Sequence, residues 1–217
     1  MPAAPPRGAL LAGTLCLLFA LTVGIAASGG APYLQSVDDL WMHRMRGSHH
    51  GGAATLADAL DTLGGPLGLV VPLTVAGCLA IYGRWRSALF FFSTAVGANI
   101  IVILPLKQLV DRPRPPEPWV LVSGGSFPSG QVFTITTLVL AAGVTLFPSV
   151  ARKAWWAFSA VVVAATMWSR TWLHAQWLSD TVAGAAAGAG VTLLLWRAFA
   201  PTLKEEARRA ATDRLWE

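Results

Sequence analysis

Charge is scarce in this chain. Of its 217 residues only 12% are Asp, Glu, Lys or Arg, against 54% hydrophobic, whereas soluble domains carry about 25% charged residues. Mean hydropathy is +0.56, and the apolar residues come in long blocks. An ordinary soluble domain is thereby excluded, and the composition reads as a polytopic membrane protein in one domain spanning 1–217. Cysteine is nearly absent: Cys16 and Cys78 are the two present, each inside an apolar run, which argues against a disulfide framework or a zinc site. Histidine is sparse as well. His43, His49 and His50 fall in one polar stretch, but no partner ligand stands at metal-site spacing, so they read as solvated loop residues. Neither a metal nor a cofactor is expected. The chain also lacks a long basic run or a nucleic-acid motif. Its pI near 9.9 reflects basic residues spread over several loops, not a nucleic-acid surface.

What is present is a succession of apolar runs. Residues 8–28 form a first span candidate, too long for a signal-peptide core and read as retained. Residues 66–83, 87–106, 132–147, 154–168 and 181–199 supply five more. The reading is therefore all-α, six transmembrane helices in one bundle, with a core at 66–199. Between the first two spans, residues 29–65 read as two short amphipathic helices at the interface, one with Leu34, Val37, Leu40, Trp41 and Met45 at helical spacing, the other with Leu56, Leu60 and Leu63. Asn99 reads as an interhelical hydrogen bond, Thr134, Thr136 and Thr137 as back-bonding to their own helix, and Gly184 with Gly188 as a site of close helix packing. Pro148 is read as the end of the fourth span. Residues 200–217 read as a charged cytosolic helix. Ten Trp, mostly near the ends of the runs, fit an aromatic belt.

Six spans fix an orientation. With the N-terminus inside, the inner segments hold Arg7, Arg84, Arg86, Arg152, Lys153, Arg197, Lys204, Arg208, Arg209 and Arg214, ten of the sixteen basic residues. This is the positive-inside pattern. The outer segments hold Arg44, Arg46, Lys107, Arg112, Arg114 and Arg170. Four of these outer cations belong to three polar clusters, all at span ends on the outer side.

The first cluster, Lys107 to Pro115, puts Lys107, Arg112 and Arg114 in or beside a proline-stiffened loop, where guanidinium groups can be held for a bidentate grip on phosphate. The second, Phe127 to Gln131, places Ser129 as an N-cap and Gly130 at the start of the fourth span, whose free N–H groups favour an anion. The third, Ser169 to Asp180, carries Arg170 at the end of the fifth span and Asp180 at the start of the sixth. Asp180 can face Gln176 if that helix begins early, or can simply cap it.

Taken together, Lys107-x6-Arg114-Pro115, Pro128-Ser129-Gly130 and Ser169-Arg170 with Asp180, in that order across six spans, resemble the type 2 phosphatidic acid phosphatase superfamily. The resemblance implies a metal-independent phosphatase of lipid phosphates or diphosphates; the span count and the basic residues place its site on the outer face of the cell membrane with both termini cytoplasmic. It implies that Lys107, Arg114, Ser129, Gly130 and Arg170 hold the phosphoryl oxygens. A histidine of the third motif would attack phosphorus, the carboxylate at Asp180 would orient it, and a histidine of the second motif would protonate the leaving alkoxide. Phosphoryl transfer of this kind is mainly charge stabilisation and positioning.

Here the two histidine positions are Gln131 and Gln176. A glutamine amide neither titrates near neutrality nor serves as a nucleophile, but it can hydrogen-bond at about the reach of an imidazole. His174, two residues before Gln176, would point about 200° away on a helix. The expectation is a phosphatase scaffold in a catalytically inactive His-to-Gln form that binds a phosphorylated lipid. The intact phosphate-holding residues favour deliberate replacement of the histidines over drift. The alternative is a natural binder or carrier of such a lipid. An anion channel is disfavoured because the clusters sit at span ends and not near the midplane.

Overall fold

The computed structural model of the chain describes residues 4–213 apart from 46, 48, 49 and 66. Arg46, Arg214 and His49 therefore lie outside the described residues, as does the Leu63 side chain. Among the described residues every regular element is a helix: α1 (Ala9–Ser28), α2 (Pro32–Arg44), α3 (Gly52–Gly64), α4 (Leu67–Ile81), α5 (Trp85–Phe92), α6 (Leu104–Val110), α7 (Gly130–Thr145), α8 (Ser149–Trp172) and α9 (Leu178–Asp213). Two π-helical stretches, Ser93–Gly97 and Asn99–Ile103, join α5 to α6. The all-α architecture expected from the apolar runs is what is found.

Ala9–Ser28, Trp85–Val110 and Leu178–Ala210 are long and apolar enough to cross a membrane, and Gly68–Ile81 and Gly130–Thr145 are shorter apolar helices. The expected span at 154–168 is the middle of the longer α8, which carries Arg152 and Lys153 near one end and Arg170 at the other. Large side chains such as Leu11, Ile25, Ile101 and Val161 are two-thirds exposed or thereabouts. Aliphatic surface of this extent on spanning helices fits contact with lipid.

Local chemistry explains several features. Pro105 stands where the second π-helical stretch passes into α6, inside the continuous helix Trp85–Val110, at the place where the backbone hydrogen-bonding pattern already changes. Thr134, Thr136 and Thr137 donate to the carbonyls of Gly130, Val132 and Thr134, all within 3 Å, as expected for hydroxyls in an apolar setting. Asn99 donates to Thr134 Oγ1 at 2.6 Å, the anticipated interhelical bond. Pro148 does not terminate α7, which already ends at Thr145; it occupies the N-cap position of α8. The last span and the helix expected after it are one continuous helix that passes through Pro201 to Asp213.

α9 is the central helix, packed against α1 and α7. A Cβ at Gly184 would lie 2.5 Å from the Ser129 carbonyl oxygen, and one at Gly188 would lie 3.0 Å from that of Phe133. These glycines let α9 press directly on the backbone at the start of α7. On α3 the packed face is Ala54, Ala57 and Gly64, while Leu56 is exposed. Leu60 is half-buried; Ala57 meets α8 and Gly64 meets Gln131 of α7.

Candidate active site

The polypeptide from 111 to 129 is the hub where the clusters meet. Lys107, in the last turn of α6, donates from Nζ to the Gly125 carbonyl at 2.8 Å. Arg114 grips the same loop: Nε to Gly124 O at 3.0 Å, and Nη2 to Ser123 O at 2.8 Å and Gly125 O at 3.1 Å. Its Nη1 reaches the Ala175 carbonyl at 2.7 Å, which ties the first cluster to the third. Four of the five guanidinium donors are thus engaged, and one remains for a ligand. Burial lowers the Arg114 pKa and the Asp180 carboxylate partly opposes this.

Ser129 caps α7 as expected. Its Oγ accepts from the Val132 N–H at 3.3 Å, and its own N–H donates to the Asp180 carbonyl at 3.0 Å. The second and third clusters are therefore bonded backbone to backbone, and Gly130 opens α7 beside Lys107: a Cβ there would lie 3.8 Å from Lys107 Cε.

Arg112 departs from the sequence expectation. It was grouped with the phosphate-gripping cations, but it is buried between two carboxylates, Asp38 at 2.7 Å and Asp180 at 2.7 Å. It also donates to Gln35 at 2.9 Å and to Ser179 at 2.8 Å. Both carboxylates are fully buried and the arginine side chain is 4% exposed. An ion needs such partners to be tolerated out of water, and the pairing leaves Arg112 as a structural cation. The Trp177 ring lies under it, and Trp177 Nε1 donates to the Pro113 carbonyl at 2.9 Å.

Asp180 is committed to this network. Besides Arg112, its carboxylate accepts the Trp177 N–H at 3.0 Å in the first turn of α9. Gln176 lies just before that helix, buried, with Nε2 donating to the Ser126 carbonyl at 3.3 Å. Its Oε1 has no hydrogen-bond partner among the described residues. Residues 173–177 form a turn, not a helix, so the helical argument about His174 does not apply. His174 adopts a left-handed conformation (φ 51°) and stacks on Trp119 with ring centroids 5.0 Å apart.

Gln131 and Arg170 meet at Asp61 of α3. Gln131 Nε2 donates to the Asp61 carbonyl at 2.8 Å and lies 3.4 Å from its carboxylate, and Arg170 is ion-paired to that carboxylate. Ser169 ties down the same helix by donating to the Ala57 carbonyl at 2.8 Å. Gly64 allows the contact, since a Cβ there would fall 2.7 Å from Gln131 Nε2.

Sequence reasoning missed Asp38 and Asp61. Both were within helices assigned to the interface. A signal existed: Asp38 shares the helical stripe of Leu34 and Trp41, and Asp61 shares that of Ala54, Ala57 and Gly64. A carboxylate on an otherwise apolar or small face marks a buried cationic partner.

A groove of ≈ 450 Å³ runs from this cluster along the helices. Lys107, Gly130 and Gln131 line its polar end, and Leu69, Ile100 and Leu104 are among its apolar lining. No cluster of His, Cys, Asp or Glu among the described residues is arranged to hold a metal ion.

The sequence profile of the PAP2 superfamily matches residues 88–203. The fold is similar to a crystal structure of a transmembrane PAP2 type phosphatidylglycerolphosphate phosphatase from Bacillus subtilis. The TM-score is 0.73 and the identity 20%, covering 84% of this chain and 93% of that one. No curated protein sequence matches the chain.

Proposed function

The chain belongs to the PAP2 superfamily, and on that premise we propose that it is a membrane lipid phosphate phosphatase in scaffold whose site, as written, binds a phosphorylated lipid without turning it over. The observation that supports this reading is Lys107 beside Gly130 at the N-terminus of α7, with Gln131 of the same turn bonded to the Asp61 that pairs with Arg170 and an apolar groove lined by Lys107, Gly130 and Gln131. Cations and free helix N–H groups suit a phosphoryl group, and an apolar channel suits its acyl or prenyl tail. Lys107, Arg114, Ser129, Gly130 and Arg170 are assigned to the phosphoryl oxygens. Gln176 and Gln131 take the places of nucleophile and acid, and Asp180 is assigned to hold the turn that presents residue 176. The amides supply hydrogen bonds but no attack and no proton transfer at neutral pH. Six spans, with both termini inside and the site on the outer face, agree with the distribution of basic residues.

The test is direct. The full chain and the Gln131→His/Gln176→His double variant are purified in detergent and assayed for phosphate release from phosphatidic acid, phosphatidylglycerophosphate and a polyprenyl diphosphate. The expected result is release from at least one lipid by the double variant alone. No release from any of them by the double variant overturns the reading.

A further inference from the structure

Asp61 gives two of the assigned phosphate-site residues an internal anionic partner. Its carboxylate is ion-paired with Arg170 and lies 3.4 Å from the Gln131 amide nitrogen, whose main bond is to the Asp61 carbonyl at 2.8 Å. The two members of the ion pair differ in setting. The Arg170 side chain is 7% exposed and that of Asp61 is 26% exposed, so the carboxylate is the partner that can leave toward water. Arg170 Nε, a donor, and Gln176 Oε1, an acceptor, are buried without hydrogen-bond partners among the described residues. The cluster therefore retains unused polar capacity even with Asp61 in place.

Glycines stand at both ends of the helix bearing Asp61: Gly51, with φ 102°, precedes α3, and Gly64 and Gly65 follow Leu63. Its packed face is Ala54, Ala57 and Gly64, with Ala57 clustered with Leu173 and Ala175 beside Trp168 and Trp172. Ser169 and Gln131 also hold this helix, through the Ala57 and Asp61 carbonyls, so the Asp61–Arg170 pair is one tie among three.

We propose that Asp61 is the residue that decides which phosphates enter: its carboxylate stands in for a phosphoryl oxygen at Arg170, and a ligand must outbid one negative charge to displace it. The proposal rests on the phosphate-site reading above. A phosphodiester headgroup carries a single negative charge, so it merely replaces one anion by another and gains nothing to offset the movement of α3. A terminal phosphomonoester or diphosphate carries about −1.5 to −2 at neutral pH. Its extra charge is left for Lys107 and Arg114. The device would keep the diester lipids that surround any membrane enzyme out of a cationic pocket that would otherwise collect them.

The experiment uses the full chain in detergent, with phosphatidic acid as the monoester probe and phosphatidylglycerol as the diester probe. Affinities are measured for the unaltered chain, for Asp61→Asn, and for Arg114→Gln. The unaltered chain is expected to prefer phosphatidic acid by about tenfold or more. Because either lipid must displace the same carboxylate, Asp61→Asn is expected to tighten both by about tenfold, a gain of about 1.4 kcal/mol, which brings phosphatidylglycerol into the range the unaltered chain keeps for phosphatidic acid. Unchanged phosphatidylglycerol affinity in Asp61→Asn overturns the proposal. If phosphatidic acid binding also ignores Arg114→Gln, the phosphate-site reading falls with it; if that binding weakens, only the role of Asp61 falls. A second measurement covers the case of a misfolded variant. Amide exchange across residues 52–65 of the unaltered chain should rise with phosphatidic acid and stay level with phosphatidylglycerol, and equal exchange with both lipids overturns the proposal.

Discussion

Arg112 and Asp180 form an ion pair at 2.7 Å with both side chains out of water, and Asp38 closes on the same guanidinium at 2.7 Å. One cation thus joins α2, the 111–129 loop and the start of α9. Asp38 also accepts from the Ser179 N–H at 2.8 Å and from the Ser179 hydroxyl at 2.6 Å, so α2 is fixed to the turn that presents Gln176. The contact between a helix expected at the interface and the central helix is therefore electrostatic, and it lies directly behind the site.

Arg112→Ala should cost about 3–5 kcal/mol, because it strands two buried carboxylates. Arg112→Ala/Asp38→Asn should recover part of that loss, since one stranded charge is removed. Thermal unfolding of the detergent-solubilised protein, followed by circular dichroism, gives both values. A loss below about 1 kcal/mol for the single variant would mean that water reaches the pair.

Arg114→Lys keeps the charge and loses the fork. A single ammonium cannot span the carbonyls of Ser123, Gly124, Gly125 and Ala175 that the guanidinium holds. The expected outcome is faster amide exchange or proteolysis at 123–125, with global stability lowered by only about 1–2 kcal/mol. Phosphate affinity should fall as well, although net charge is unchanged.

Much of this was legible from local pattern. The apolar runs marked the long helices, Gly184 and Gly188 marked the face of α9 that meets α7, and Asn99 found its hydroxyl. Ser129, read from its place before an apolar run, does cap α7. The π-helical turns at Ser93–Gly97 and Asn99–Ile103 left no trace in the composition, since one extra residue per turn does not disturb an unbroken apolar run. The fates of Arg112 and Arg170 were hidden for another reason. Their carboxylates come from helices 74 and 109 residues away in sequence, and charge pairing over that separation depends on the assembled fold.

Gly184→Val should be severe. The added Cβ would sit 2.5 Å from the Ser129 carbonyl, and backbone cannot yield as a side-chain tip can. Overpacking of this kind costs about 1–3 kcal/mol or more, and it would also shift the N-cap of α7 and weaken phosphate binding. Gly77→Ala is the control, since a Cβ there meets nothing within 4 Å. Comparable melting temperatures for the two variants would contradict the close approach of α9 to α7.

The two glutamines should separate by leaving group. Under the proposed function, a histidine at 176 attacks phosphorus, the ester P–O bond breaks, and water later cleaves the phosphohistidine to inorganic phosphate. The departing oxygen needs a proton only if it leaves as a poor anion. A nitrophenolate leaves unaided, whereas the alkoxide of a glyceride does not. Gln176→His alone should therefore release nitrophenol from nitrophenyl phosphate at a rate close to that of the double variant. With phosphatidic acid the single variant should trail the double by about 10²–10⁴, the usual worth of a positioned general acid. Gln131→His alone should be inactive on both substrates, because no nucleophile is present. Equal rates for the single and double variants on the lipid would remove residue 131 from the acid's role and leave its amide as a partner of Asp61 only.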